Sequence, residues 1–203
     1  MPRAGFFAQL GMFVVPGFFD AALCASLRNE MRSSPTIPAP ILDAYNQLRV
    51  AEDQRRTAKA LVSEETRAQI MSRLIASRRS LENHFGMVLS NCQPLSFLIY
   101  KEGHSFGRHT DSSRDPEAPH WIRRRRVSVS IFLNGEGEQD DSQTYGGGSL
   151  TFYGSSTHQE RTGIPEISLT GEEGLLIGFR SDWAHSVKPI SRGVRYSIVT
   201  WFV

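Results

Sequence analysis

The chain has 203 residues, of which 39% are hydrophobic and 22% are charged, and its formal net charge is +2 at pH 7. This composition allows a sizeable buried core and excludes a disordered or low-complexity polymer. The small positive excess does not by itself indicate a nucleic-acid partner, and no apolar run is long enough to span a bilayer.

The two cysteines, Cys24 and Cys92, are too few for a disulfide framework, and their spacing suits no cysteine metal site. We therefore expect reduced thiols and a cytoplasmic protein. The apolar stretch Ala4–Phe19 is interrupted by glutamine, glycine and proline and lacks a clean cleavage site. The pattern therefore does not favour a secretory signal.

The first half of the chain is predicted to be largely helical. A short strand is expected at Met12–Val15, and Asp20 is a suitable N-cap for the helix that follows. One face of this helix is apolar and carries Leu23, Leu27 and Met31. The three prolines of Ser33–Pro40 cannot continue the helix.

A second, longer helix is predicted to begin after Ser63, whose side chain can cap it, and to end at Gly86. Glu64 and Glu65 favour the positive end of its dipole. Its apolar stripe consists of Ile70, Leu74, Leu81 and Phe85. The polar segment Ala44–Lys59 shows no clear period, and no structure is predicted there.

The second half changes to short apolar runs separated by turn residues, a pattern typical of an all-β unit. The predicted strands are Ser96–Tyr100, Arg126–Leu133, Ser149–Tyr153, Ile167–Leu169, Leu175–Phe179 and Val194–Val203. Helices followed by a run of strands indicate an α+β fold, with helices on one face of a β-sandwich or barrel.

A candidate metal site follows the first of these strands. His109 and Asp111 are two residues apart, so in a strand their side chains point to the same face, and His185 could join them from a distant strand. Two imidazoles and one carboxylate on one side of a metal leave three adjacent positions open, as non-haem Fe(II) requires when it binds both a cosubstrate and O2. The alternative is that a single His-x-Asp pair has arisen by chance.

Arg195 is the second candidate, because the strand period puts it on the same face as Ser197, Val199 and Trp201. A guanidinium among apolar residues is costly without an anionic partner. The simplest partner is a ligand carboxylate, bound bidentately. The alternative is an internal ion pair with Asp or Glu.

Four separate motifs occur in a distinctive order. They are Tyr100-x-x-Gly103-x-x-Phe106-x-x-His109-x-Asp111, Gly146-Gly147-Gly148-Ser149-Leu150, His185-x-x-x-Pro189 and Arg192-Gly193-Val194-Arg195-Tyr196. Together they resemble the 2-oxoglutarate and Fe(II)-dependent dioxygenases, most closely the prolyl 4-hydroxylase-like branch. The specific motifs span residues 94–203.

The resemblance implies a double-stranded β-helix (jelly-roll) core at 94–203, with residues 1–93 as mainly helical support in a single domain. It implies Fe(II), 2-oxoglutarate and O2, with ascorbate as a candidate reductant. His109, Asp111 and His185 would then be catalytic iron ligands, and Arg195 and Tyr100 would bind 2-oxoglutarate. Trp201 would line the iron pocket.

Two positions depart from the family pattern, because Phe106 and Phe132 stand where relatives often carry tyrosine. The resemblance implies that both lie in the substrate pocket, where each leaves one hydroxyl missing. Ser128 or Ser130, on the strand face of Phe132, could replace a donor to 2-oxoglutarate, and Ser130 is the preferred candidate.

The run Arg123–Arg126, with His120 and Trp121, is interpreted mainly as a solvated approach to a strand; the alternative is a surface for nucleic acid or an acidic peptide. Its place near the pocket mouth makes Asp111–Arg125 a candidate substrate lid, with Arg123 and Arg124 facing the pocket. Opposite it, Glu136–Asp141 is expected to be an acidic turn. The remaining features are not assigned to a site: His104, His120, His158 and the hinge Gly146–Gly148.

The implied function is hydroxylation of an unactivated C–H bond, of a prolyl residue in a peptide or protein or of a free amino acid, with release of succinate and CO2. The partner would be a peptide, protein or small molecule, without a membrane. An oxidative nucleic-acid demethylase is one alternative, but no second arginine motif follows Arg195. A non-enzymatic jelly-roll metal-binding module is another. The prime substrate and the oligomeric state are left open.

Overall fold

The structure is a computed structural model that describes residues 4–43, 45–138, 143–154 and 166–203. Its helices are α1 (Ala4–Gln9), α2 (Ala21–Ser33), α3 (Glu64–Phe85) and α4 (His120–Arg123). Its strands are β1 (Phe13–Val15), β2 (Thr36–Pro38), β3 (Ile41–Leu42), β4 (Leu48–Arg49), β5 (Arg55–Arg56), β6 (Ala58–Ala60), β7 (Ser96–Tyr100), β8 (Ser105–His109), β9 (Val127–Phe132), β10 (Gly135–Glu136), β11 (Thr144–Gly147), β12 (Leu150–Tyr153), β13 (Glu166–Leu169), β14 (Leu176–Arg180), β15 (His185–Val187), β16 (Ile190–Gly193) and β17 (Arg195–Phe202).

Local signals set the ends of the two long helices as predicted. The Asp20 carboxylate accepts a hydrogen bond from the Leu23 N–H at 2.8 Å, and the Ser63 hydroxyl accepts one from the Thr66 N–H at 3.2 Å. Gly86 ends α3 with a φ of 63°, a left-handed conformation that glycine adopts without strain.

The larger sheet has seven strands in the order β1–β14–β9–β17–β7–β6–β2. Successive side chains of its central strands point to opposite faces of the sheet. One face packs against α2 and α3, and the other faces the second sheet. The helix-facing core includes Leu27, Ile70, Leu74, Phe97, Val129, Ile131 and Ile198. This alternation leaves Arg195 and the other odd-numbered residues of β17 on the face away from the helices.

The smaller sheet, in the order β13–β12–β15–β8–β5, lies against that second face. Both of these sheets are antiparallel, and a second apolar cluster fills part of the space between them: Leu98, Phe132, Leu150, Phe152, Phe179 and Val187. The predicted α+β class with a jelly-roll core is confirmed.

The first half of the chain contributes the short strand expected at Met12–Val15, observed as β1, and further strands that the sequence did not predict, β5 and β6 among them. β1 pairs with β14, with Phe13 opposite Gly178, while β6 pairs with β7 and β5 with β8. Residues before 94 therefore complete both sheets besides supplying helices. Among the described residues, no helix is both long and apolar enough to cross a membrane.

Candidate metal centre and cavity

Adjacent strand ends of the smaller sheet bring three potential ligands together. His109 is the last residue of β8, and it lies directly opposite His185, the first residue of β15. Asp111 is beyond the end of β8, where its N–H donates to the Ser181 carbonyl at 2.9 Å. One ligand atom from each of the three lies within 4.8 Å of the other two. His109 therefore reaches the site as part of a strand, as predicted. Asp111 lies beyond the strand, and a backbone hydrogen bond of the loop directs it toward the two histidines.

The same local contact orients both imidazoles. The Nδ1 of His109 lies 2.9 Å from the Gly107 carbonyl, and the Nδ1 of His185 lies 2.9 Å from the Trp183 carbonyl. Because a carbonyl oxygen only accepts, each Nδ1 carries a proton, which leaves Nε2 as the ring nitrogen that can bind a metal. The Nε2 atoms lie 3.6 and 3.5 Å from the Asp111 carboxylate oxygens, so they face it beyond hydrogen-bond length.

The charge of the group also suits a cation. Burial alone raises the pKa of Asp111, but His185, His109 and the Ser128 hydroxyl together hold it well below its usual range. Burial, with the neighbouring His109, lowers the pKa of His185 to about 4, so this ring is neutral at pH 7. An ionised carboxylate facing the Nε2 atoms of two imidazoles is a donor set that fits Fe(II).

The Ser128 hydroxyl contacts the candidate carboxylate ligand. This hydroxyl lies 2.7 Å from Asp111 Oδ2 and 2.9 Å from the Ser181 hydroxyl. The Arg125 guanidinium donates to the Asp111 backbone carbonyl at 3.1 Å. Asp111 is thus fixed through its side chain and its backbone, as metal-ligating carboxylates usually are.

A cavity of about 1110 Å³ opens between the two sheets, with the three candidate ligands on one wall. Tyr100, Ser130, Arg195 and Ser197 also line it. It is therefore large enough for a cosubstrate together with a further substrate group.

Arg195 is 1% exposed and lies between two aromatic rings, with Phe132 at 4.8 Å and Tyr100 at 5.5 Å. One of its terminal nitrogens donates to the Gly148 carbonyl at 2.7 Å. No carboxylate of the described residues forms an ion pair with it, which removes the expected alternative over that part of the chain.

Two buried polar atoms on the same face of β17 lack a partner in the described structure, the Arg195 Nε and the Ser197 hydroxyl. Buried donors without partners are costly. A carboxylate entering the cavity would satisfy both, so the residues present fit the 2-oxoglutarate distal carboxylate. Sequence reasoning did not assign Ser197, although the strand period already put it on the Arg195 face.

Of the three aromatic residues predicted in the pocket, two line the cavity and one does not. Phe106 lines the cavity and stacks on His109, with ring centroids 3.6 Å apart, and Trp201 lines it beneath the Arg125 guanidinium at 3.5 Å. Phe132 packs behind Arg195 and is not part of the cavity wall.

Arg123 and Arg124 do not line the cavity, contrary to the prediction. Both are exposed, and Arg123 donates to the Ala118 carbonyl at 3.0 Å. The next residue, Arg125, does line it, because α4 ends at Arg123 and the chain turns inward before β9. Burial lowers the pKa of Arg125 to about 10, and Asp111 opposes this effect.

The other sequence features lie outside the candidate centre. His109, Asp111 and His185 form the metal-ligand group. Within the described residues, His104 and His120 are not part of it, and Cys24 and Cys92 are free. Gly147 and Gly148 have φ values of 68° and 69° and form a fixed bend between β11 and β12. His158 and residues 139–141 of the acidic turn are outside the described residues.

Comparison with known protein families identifies one match over the second half. A model described as the 2OG-Fe(II) oxygenase superfamily matches residues 95–203. A PKHD-type hydroxylase of Pseudomonas putida strain W619 is 25% identical over 192 residues, covering 92% of this chain and 76% of the relative. One of Thermosynechococcus vestitus is 28% identical over 172 residues, covering 79% and 70%.

Solved structures show the same fold. A Pseudomonas putida prolyl-4-hydroxylase matches with a TM-score of 0.71 and 23% identity, covering 98% of this chain and 95% of that one. A Trichoplax adhaerens prolyl hydroxylase, in complex with a peptide fragment of a hypoxia inducible factor, matches with a TM-score of 0.68 and 19% identity, covering 98% and 86%.

Proposed function

The chain belongs to the 2OG-Fe(II) oxygenase superfamily, and on this premise we propose that it hydroxylates an unactivated C–H bond of a prolyl residue in a peptide or protein, or of a free amino acid. It is a 2-oxoglutarate-dependent oxygenase, with Fe(II) and 2-oxoglutarate as its cofactor and cosubstrate. The observation that carries the proposal is one cavity with a metal-ligand group on its wall and a buried, unpaired arginine nitrogen at the Arg195 end.

Three side chains would hold the metal: His109, Asp111 and His185. The Gly107 and Trp183 carbonyls hold the rings in the tautomer that presents Nε2, and Ser128 holds the carboxylate. The ligands are oriented before a metal arrives, which reduces the ordering needed on binding.

Arg195 and Ser197 would bind the distal carboxylate of 2-oxoglutarate. The flanking rings of Tyr100 and Phe132 keep water from the guanidinium, and the Gly148 carbonyl fixes its orientation. A charge-assisted contact in such a dry site is stronger than the same contact in water. Ser130 remains a candidate second donor on the neighbouring strand.

When bound together, Fe(II), 2-oxoglutarate and O2 supply the oxidation of a C–H bond, with succinate and CO2 as co-products. The chain's own residues orient these groups and limit water. Phe106, stacked on His109, and Trp201, covered by Arg125, form apolar walls beside the ligand group. A substrate C–H bond held against these walls is close to the metal site and shielded from solvent.

Relatives support the prolyl part of the proposal. The similar curated proteins carry the name PKHD-type hydroxylase, and two structures with the same fold are prolyl hydroxylases, one of them with a bound peptide. The Arg125–Trp201 pair in the cavity wall offers an aromatic face for a pyrrolidine ring and a cation for a peptide carbonyl.

The test measures succinate formation by the Fe(II) protein with 2-oxoglutarate and O2, first alone and then with pools of proline-containing peptides and free amino acids. We expect at least one pool to raise the rate, and mass spectrometry should find one added oxygen atom on a proline. Oxygen added only to other residues, or to nucleic acid supplied in parallel, would contradict the prolyl assignment. His109→Ala and His185→Ala should abolish the reaction while the fold persists.

A further inference from the structure

Lys59 is a half-buried cation inside the cavity that the roles above do not use. It lies at the centre of β6, opposite Leu98 of β7, on the face that lines the cavity. No carboxylate among the described residues forms an ion pair with it. Its burial, followed by the positive charges of Arg67 and Arg55, lowers the pKa of its ammonium group.

Arg55 lines the same cavity from the opposing sheet. It lies opposite Phe106 in β8, and its guanidinium stacks on that ring at 4.5 Å. One terminal nitrogen donates to the Pro40 carbonyl at 3.1 Å, which fixes the group in place. Its Nε is buried and has no hydrogen-bond partner within the described part of the chain. Lys59 and Arg55 thus approach the cavity from both sheets.

Among the described residues that line the cavity, positively charged side chains outnumber negatively charged ones. Its acids are Asp53, which is exposed, and Asp111, which belongs to the metal-ligand group. Its lysine and arginine side chains are Arg55, Lys59, Arg108, Arg125 and Arg195. Partly desolvated cations without acids nearby are unfavourable until an anion arrives.

This cationic pair is separate from the Arg195 end. Lys59 lies opposite Leu98, and Leu98 lies opposite Ser197, so two strand spacings, about 10 Å, separate the Lys59 and Ser197 backbones. Lys59 therefore enters the cavity from a different strand of the larger sheet than Arg195 and Ser197. Arg55 is on the far side of Phe106 from His109, so an anion held there lies beside the ligand group, not on it.

We infer that Lys59 and Arg55 form an anion subsite that binds a carboxylate of the substrate, an inference that rests on the proposed function. The carboxylate can come from two sources: an acidic side chain near the reacting residue of a peptide, or the α-carboxylate of a free amino acid. In either case the subsite fixes the substrate at a second point, away from the reacting C–H bond.

The test uses the full chain loaded with Mn(II), in place of redox-active Fe(II), and saturated with 2-oxoglutarate, so that the Arg195 end is already filled. Binding is measured by calorimetry for matched probes that differ only in charge. The peptide probes are N-acetylated, C-amidated tripeptides with Glu or Gln on either side of proline. The free probes are L-proline and L-prolinamide.

We expect the acid member of at least one pair to bind about tenfold more tightly than its neutral twin. The pair that shows the preference identifies the source of the carboxylate. Lys59→Gln should remove the preference, and Lys59→Glu should reverse it in favour of the member of each pair that lacks the carboxylate. Lys188→Gln, which removes a partly exposed lysine paired with Glu166 outside the cavity, should leave it unchanged.

Equal binding of every acid and its twin, including no measurable binding of either, overturns the inference, and so does a preference that survives in Lys59→Gln. The 2-oxoglutarate affinity of each variant shows that its cavity is intact. Succinate formation with O2 tests the proposed function separately: a charge preference in binding without prolyl oxygenation refutes the prolyl assignment and leaves the subsite standing.

Discussion

The surroundings of the Arg195 guanidinium predict that replacing this residue has a large effect on 2-oxoglutarate binding. If it pairs with the distal carboxylate of 2-oxoglutarate, Arg195→Ala leaves that carboxylate desolvated and unpaired, at a cost of about 3–5 kcal/mol. Affinity should fall by roughly two to four orders of magnitude. Arg195→Lys should recover part of the loss, because it keeps the charge without the planar fork.

The measurement is a 2-oxoglutarate titration of the Fe(II) protein without oxygen, with metal binding as the control that both variants should pass. Unchanged affinity in Arg195→Ala would mean that the cosubstrate is anchored elsewhere.

Ser197 and Ser130 are competing candidates for the hydroxyl that Phe132 does not provide. The buried Ser197 hydroxyl has no partner in the described structure, so we expect Ser197→Ala to weaken 2-oxoglutarate binding about tenfold or more. Ser130→Ala should change the affinity little. The reverse result, in the same titration, would favour the donor preferred from the sequence.

The bend between β11 and β12 connects backbone conformation to the same site. Gly148 has a φ of 69°, and a Cβ there would lie 2.2 Å from the Ile190 Cδ1. Since its carbonyl accepts the Arg195 hydrogen bond, a forced shift of this bend also moves the guanidinium's partner.

Gly148→Ala should therefore destabilise the protein by about 1–3 kcal/mol and weaken 2-oxoglutarate binding. Urea unfolding and the anaerobic titration measure the two effects. Gly137→Ala is the matched control, because Gly137 has no positive φ and its added methyl would meet only ordinary contacts with Thr144. Wild-type behaviour of Gly148→Ala would show that the bend adapts freely. Ile190→Val in the same background should relieve the clash and leave the strain of the positive φ.

The elements differ in how much of them could be predicted. The ends of α2 and α3 depend on local side chains, Asp20, Ser63 and Gly86, and the sequence indicated all three. By contrast, β5, β6 and β8 are short and carry no alternating apolar pattern, and they form because distant strands offer pairing partners.

The residues of the candidate site also differ in how well the sequence predicts them. Its three candidate ligands, His109, Asp111 and His185, belong to spaced motifs and could be predicted from the sequence alone. Lys59 stands alone in a polar segment and has no local signal, and the choice of Arg125 over its two neighbours depends on where α4 ends. Such residues are fixed by tertiary contacts, which a short sequence window does not contain.

For the molecule as a whole, the metal should act as a stabiliser. It would join β8, β15 and the loop that follows β8 in the folded state, and the unfolded chain has no such group. At 100 times its dissociation constant, a ligand specific for the folded state adds about 2.7 kcal/mol. For a chain of this size, that raises the melting temperature by about 5–10 °C.

The measurement is thermal unfolding with and without Mn(II), with EDTA to reverse the effect. The increase should disappear in His109→Ala, and Cys92→Ser should keep it, since that thiol contacts Thr200 away from the cavity. An equal increase in His109→Ala would place the stabilising metal elsewhere.

The pairing of β1 with β14 has a consequence for synthesis on the ribosome. Phe13 meets Gly178 across 165 residues, so the first strand emerges long before its partner has been translated. Until then the apolar side chains of α1 and β1, Phe6, Phe7 and Phe13 among them, have no sheet to cover them. Completion of the larger sheet is therefore a late and non-local event. A nascent chain released before residue 178 should associate with chaperones or aggregate, and the full-length chain should bury this segment as soon as β14 becomes available.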